Sequence, residues 1–211
     1  MGQFEDSHDR ELIYVGDPMC SWCWGIAPEL DLLTEAHPDL PLRIVVGGLR
    51  PGPNAQTVGP ELAGYLAQHW EEVERRSGQP FDRTLLDRHN WRYDTEPACR
   101  AVVVMRELAP HETFRFFKRL QQAFYVEGLS VWDPNIYGEL LQGFDVERDA
   151  FLEIFGAQDS VKATWRDFSL ARSWGINGFP TIVLRQGSTG QVIARGYTTA
   201  ADMENAIATL T

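Results

Sequence analysis

Residues 11–30 read ELIYVGDPMCSWCWGIAPEL. The run Leu12-Ile13-Tyr14-Val15 is apolar and rich in β-formers, and it predicts a short buried strand over 11–16. Gly16, Asp17 and Pro18 break that strand. The chain then takes helical character, and a helix is predicted from 20 to about 36. Cys20 and Cys23 stand at its start with Ser21 and Trp22 between them. Two intervening residues let both sulfurs meet in one short disulfide ring. The unpaired N–H groups of a first helical turn, with the positive end of the helix dipole, favour a thiolate there. A thiolate with a second thiol beside it is a dithiol–disulfide exchange centre. Cys20 comes first and is the expected exposed nucleophile. Cys23 lies almost a turn further in and is the expected resolving thiol. The Ser21 hydroxyl and backbone can assist by donating to a thiolate, and Trp22 adds apolar surface.

Composition bounds the remaining readings. The chain has 211 residues, 44% hydrophobic and 11% aromatic, enough for one large domain or a core domain with an insertion. Its formal net charge is −11, which argues against nucleic acid or an anionic membrane surface as partner. No apolar run reaches the length of a transmembrane helix. The polar opening MGQFEDSHDR has neither the basic nor the apolar region of a secretory signal, so a cytoplasmic location is expected. Three cysteines make no disulfide framework. A zinc half-site is the rival reading of Cys20 and Cys23. Zinc needs four ligands, however, and there is no second Cys-x-x-Cys, nor do His8, His37, His69, His89 and His111 fall at ligand spacing. No metal is therefore expected. Cys99 reads as a helix core thiol with no part in turnover.

Outward from the opening stretch, Pro28 sits inside the first helix and predicts a kink near 24–28. Residues 41–48, PLRIVVGG, read as a second strand, parallel to the first through a right-handed crossover. The loop 49–60 leaves the core. Helices are expected over 61–76 with Leu62, Tyr65, Leu66, His69, Trp70 and Val73 on the apolar side, and over 97–109 with Ala98, Ala101, Val102, Met105 and Leu108 inward and Arg100, Arg106 and Glu107 elsewhere. Others follow over 112–126, after Asp133-Pro134, over 147–155, and over 159–174 with Val161, Trp165 and Phe168 inward. Residues 180–186 and 191–197 read as an antiparallel hairpin about a turn at 187–190, and Thr199 to Asp202 as a capping box before a last helix.

Two stretches carry a family resemblance. Cys20-Ser21-Trp22-Cys23, with Pro28 five residues after the second cysteine, resembles the active-site helix of the thioredoxin superfamily. Gly178-Phe179-Pro180-Thr181 resembles its second signature, in which the proline is normally cis. The largely helical segment between them resembles the DsbA-like branch, related to kappa-class glutathione transferases and 2-hydroxychromene-2-carboxylate isomerases. The implied fold is α/β, a thioredoxin-like fold with a helical-domain insertion: residues 1–54 and 173–211 form the core and 55–172 the insertion. The implied activity is that of a thiol–disulfide oxidoreductase or isomerase acting on protein or small-molecule thiols and disulfides. Cys20 and Cys23 are its expected catalytic pair, and Trp22, Phe179 and Pro180 line the substrate surface. No resident cofactor is implied, and glutathione is a candidate co-substrate. The alternative is a glutathione-dependent isomerase or transferase; those relatives usually lack the paired cysteines. Many members also carry a buried carboxylate six residues before the nucleophile. Here that position is Tyr14. Asp17, three residues before Cys20, is a candidate assisting acid from the loop, where a carboxyl is less able to have a raised pKa and so is expected to be unremarkable.

Overall fold

The computed structural model describes residues 10–88 and 90–210. Strand β1, Arg10–Gly16, leads through the loop 17–20 into helix α1, Ser21–Ala36, and then into β2, Leu42–Val46. Next come β3, Gln56–Val58, α2, Pro60–Ser77, and β4, Trp91–Tyr93. The helices α3, Glu96–Leu108, α4, Thr113–Tyr125, α5, Tyr137–Leu140, α6, Arg148–Gly156, and α7, Gln158–Ser173, follow. Strands β5, Thr181–Gln186, and β6, Thr189–Arg195, precede α8, Ala200–Ala208. The main sheet has the order β2-β1-β5-β6. β1 runs parallel to β2, with Leu12 opposite Leu42, and antiparallel to β5, with Val15 opposite Thr181. This is a thioredoxin-like fold with its helical block between β2 and β5.

Side chains alternate across β1, as strand pleating requires. Leu12 and Tyr14 enter the larger core with Ile44, Val46, Ile182, Leu184 and the helices α1 to α4. Ile13 and Val15 enter a smaller core on the other face with Val45, Val183, Ala171 and Ile176. Ala171 belongs to α7, which the sequence division places in the inserted segment and which lies here against β2 and α3. The expected inward stripe of α7 is shifted. Val161 and Trp165 are only partly buried, whereas Ser160, Thr164, Asp167, Phe168 and Ala171 are buried.

Asp167 explains that shift. Its Oδ2 accepts from the backbone N–H of Val46 at 3.0 Å and from Arg106 Nη1 at 2.7 Å, and Arg106 also donates to the Ile44 carbonyl at 2.6 Å. An α3–α7 ion pair thus occupies the open edge of β2, where strand N–H and C=O groups have no neighbouring strand. Periodicity sends Arg106 to solvent; the edge strand recruits it. Asp167→Ala leaves the Val46 N–H and the Arg106 guanidinium without their acceptor. It is expected to cost about 2 kcal/mol, read as a lowered urea midpoint at unchanged m-value.

Two other expectations need correction. The loop after β2 is not purely irregular: β3 within it pairs with β4, Val58 opposite Trp91, in a separate two-stranded sheet. Three-residue strands are too short to show alternation in sequence. Tyr65, expected on the apolar side of α2, is 56% exposed, and the buried side is Ala63, Leu66, Trp70 and Val73. The capping box at 199–202 is present: Thr199 Oγ1 accepts from the Asp202 N–H at 3.2 Å and donates to Asp202 Oδ2 at 2.7 Å.

Candidate active site

β1 delivers the chain to the site. At Gly16 it ends against the ring of Tyr14; a Cβ there would stand 2.6 Å from Tyr14 Cζ. The following loop is pinned by Asp17. Its Oδ1 accepts from the Met19 N–H at 2.8 Å and its Oδ2 from the Leu49 N–H at 2.7 Å. Cys99 Sγ on α3 also donates to Oδ2, at 3.4 Å, and Tyr93 on β4 donates to the Met19 carbonyl. One carboxylate therefore ties the Cys20 loop to the loop after β2 and to α3. Asp17 is fully buried, and burial pushes its carboxyl up against the lowering effect of its hydrogen bonds. The expectation of an unremarkable loop acid was therefore wrong: helices and strands from three other parts of the chain close over this loop.

Cys20 is the N-cap residue of α1, in extended backbone conformation. Its thiol donates to the Phe179 carbonyl at 3.6 Å. The Phe179–Pro180 peptide bond is cis, and Gly47 makes room for the Phe179 ring, which a Cβ at 47 would strike. Cys20 is only 6% exposed because this second loop lies across it, so the expected open nucleophile is instead a narrowly accessible one. Cys23 is wholly buried in the first turn of α1, close to Cys20 and Tyr14. Burial pushes the Cys23 thiol well up, Cys20 adds to this, and Tyr14 and the Asp17 N–H oppose it. The two cysteines are free thiols.

Pro28 does not interrupt α1, which runs on to Ala36. Proline cannot donate to the Trp24 carbonyl four residues back; Gln79 Nε2 supplies that bond instead, at 3.1 Å. Trp24, next to Cys23, is 8% exposed and donates from Nε1 to the Pro80 carbonyl at 3.0 Å. Trp22 stays half-buried at the surface. Its ring meets His69 edge-on at 5.7 Å, and Arg76 lies over it at 5.2 Å. Ser21 is buried on the first turn, and its hydroxyl makes no hydrogen bond among the described residues.

The structure thus brings Cys20, Cys23, Asp17, Phe179 and Pro180 together and sets Trp22 at the rim. Sequence reasoning missed Tyr93, Tyr125 and Thr95 beneath the pair and Arg76, His69 and Tyr197 beside it. No motif marks these residues; their spacing reads only as core or helix surface.

No helix among the described residues is long and apolar enough to cross a membrane. A protein from Nitrosomonas europaea, described as a disulfide isomerase, is 32% identical, with 96% of this chain and 97% of that one covered at a TM-score of 0.88. The cytosolic disulfide reductase DsbM from Pseudomonas aeruginosa is 26% identical over 95% and 98% of the two chains at a TM-score of 0.78, and its structure has also been solved with glutathione. The ClpXP adapter protein SpxH of Bacillus licheniformis is 22% identical over 183 residues. That match takes in 84% of this chain but spans only 59% of the curated relative's length. The DSBA-like thioredoxin domain model matches from residue 11 to residue 208, both signatures and the helices between them included. Since that match leaves almost nothing of the described fold outside it, the chain belongs to the DSBA-like thioredoxin family.

Proposed function

We propose that the protein exchanges thiols and disulfides through the Cys20–Cys23 pair by way of a mixed disulfide. The observation that carries this reading is the placement of two free cysteines at the head of α1, Cys20 at its N-cap and Cys23 in its first turn, with the Phe179 carbonyl against Cys20. The Cys20 thiolate attacks one sulfur of a substrate disulfide. That S–S bond breaks, the distal sulfur leaves as a thiolate and takes a proton, and a Cys20–substrate disulfide forms. Cys23 then loses its proton and attacks Cys20 Sγ, releasing the second substrate thiol and leaving Cys20–Cys23 oxidised. Two electrons pass from protein to substrate. Two external thiols restore the dithiol, and glutathione is the proposed co-substrate; no resident cofactor takes part. An extended substrate segment would pair with the backbone at Phe179, with Trp22 as the apolar rim. The glutathione-dependent isomerase reading is less well supported, because a resolving thiol stands close to the first.

Tyr14 and Asp17 divide the task of a single buried acid. Tyr14 touches the sulfur that must lose a proton in the second step, and Asp17 fixes the loop that carries the first. Ser21 is proposed to assist through its backbone alone.

In a glutathione redox buffer, the Cys20–Cys23 pair should titrate as one two-electron couple, and the enzyme should reduce insulin disulfides when glutathione is supplied. Two independently titrating thiols would sink the proposal. Tyr14→Phe removes one hydrogen bond to Cys23 while keeping the ring packed on Phe117 at 5.3 Å. Loss of one such bond to a thiolate should slow mixed-disulfide resolution roughly tenfold. The rate of Cys20 attack should change little. Rapid-quench mass spectrometry separates the two steps.

A further inference from the structure

Arg76 stands in the last turn of α2, exposed, with its guanidinium 5.2 Å from the Trp22 ring and 5.6 Å from the Tyr197 ring. Trp22 lies between the two cysteines, and Tyr197 follows β6. Arg76 is thus held by residues from two other elements, one of them between the cysteines in sequence. Stacking engages the faces of a guanidinium and leaves its in-plane N–H donors free. Those donors find no carboxylate among the described residues. The acids on the neighbouring elements are committed elsewhere. Glu29 accepts from the Tyr197 hydroxyl at 3.2 Å and from the Ala200 N–H at 2.8 Å. Glu72 is chelated by Arg75, with contacts of 2.6 to 3.1 Å.

A second guanidinium approaches from the other side. Arg50, on the loop after β2, lies over the Tyr93 ring at 4.9 Å and donates to Gln56 Oε1 at 2.8 Å. Between the two cations, His69 stacks on Tyr65 at 5.7 Å, and burial and Arg50 both lower its basicity. In a chain of net charge −11, neither guanidinium has a hydrogen bond or close ion pair to an acid among the described residues; Glu72, on the same helix as Arg76, feels its charge but is held by Arg75. Random disposition on an acidic surface would bring carboxylates to them.

We infer that Arg76, stacked on Trp22 and Tyr197, binds a carboxylate of the substrate, so that the site selects small carboxylate-bearing thiols and disulfides of the glutathione type over neutral ones. The inference rests on the exchange reading above and deepens it. The competing reading is that Arg76 merely shields the Trp22 ring from water through its aliphatic stem. A shield acts alike on every substrate, whereas a carboxylate contact does not.

The test uses the full chain and two disulfides that differ only in their carboxylates: oxidised glutathione and its tetraethyl ester. The readout is the ratio of their second-order rate constants for oxidising the Cys20–Cys23 dithiol. Arg76→Met should lower that ratio roughly three- to tenfold, the size of a partly exposed charge-assisted contact. Arg76→Lys should recover part of it. Arg166→Met removes the same charge from an exposed position on α7, with no contact to Trp22 or Tyr197, and should leave the ratio near the wild-type value. An unchanged ratio in Arg76→Met overturns the inference, as does an equal fall of both rates or an equal change in Arg166→Met. Wild-type protein that reacts with neither disulfide would overturn the exchange reading itself, and this inference with it.

Discussion

Cys23→Ser is expected to stop turnover at the mixed disulfide, with the substrate or glutathione moiety held on Cys20. In the proposed exchange Cys20 attacks and Cys23 resolves. Cys20 caps α1 against the Phe179 carbonyl and keeps a small accessible surface, while Cys23 has none. Burial raises the Cys23 thiol well above the usual range, so at neutral pH it is protonated and unreactive until Cys20 brings a disulfide to it. Cys20→Ser should therefore neither attack nor trap. Both variants should lose on the order of a thousandfold in turnover, because the two thiols act as a unit. Mass spectrometry of the quenched variants locates the adduct. Alkylation of the Cys20→Ser variant should be slow at neutral pH and accelerate only above the ordinary thiol range. Rapid alkylation of Cys23 at neutral pH, or an adduct on Cys23, would reverse the assignment.

Asp17→Ala is expected to be the most destabilising single change near the site. It removes the acceptor for two backbone N–H groups, Met19 and Leu49. Each buried donor left unpaired costs about 1–3 kcal/mol, so a loss of roughly 2–6 kcal/mol is expected, with exchange activity falling as the Cys20 loop is released. Cys99→Ser keeps a donor at the same carboxylate and should retain most of the activity and stability. The pH dependence carries a distinct sign. Burial raises the folded-state carboxyl of Asp17 above its unfolded value, so the folded state binds the extra proton between the two. Stability from this group is greatest below the unfolded carboxyl value of about 4 and falls as pH rises toward the raised value. Asp17→Asn should flatten that fall in urea titrations run across the acidic-to-neutral range. A slope unchanged by the substitution would show that Asp17 is not the group responsible.

Much of this architecture is legible in the chain. The apolar run at 12–15, the break at 16–18 and the paired cysteines specify strand, loop and helix locally, since each depends on residues a few positions apart. The Phe179–Pro180 bond and the capping box at 199–202 are legible for the same reason. Failures fall where partners are distant in sequence. Arg106 and Asp167 look like surface charges on their own helices, yet an edge strand draws them in, Asp167 buried and Arg106 partly so. The carbonyl that Pro28 leaves without its helical donor, that of Trp24, takes one from Gln79, more than fifty residues away.

The sequence by itself determined the chemistry: two thiols one short ring apart at a helix start, and a proline signature downstream able to face them. Only the tertiary structure decided how each group behaves. It buried Asp17 by closing other elements over a loop that reads as exposed, and it covered Cys20 with the Phe179 loop. It also gathered Trp22, Arg76 and Tyr197 from three elements into one stack. Burial and charge are properties of the assembled surroundings, and no local spacing records which distant segment will arrive to desolvate a carboxyl or to leave a guanidinium without an acid.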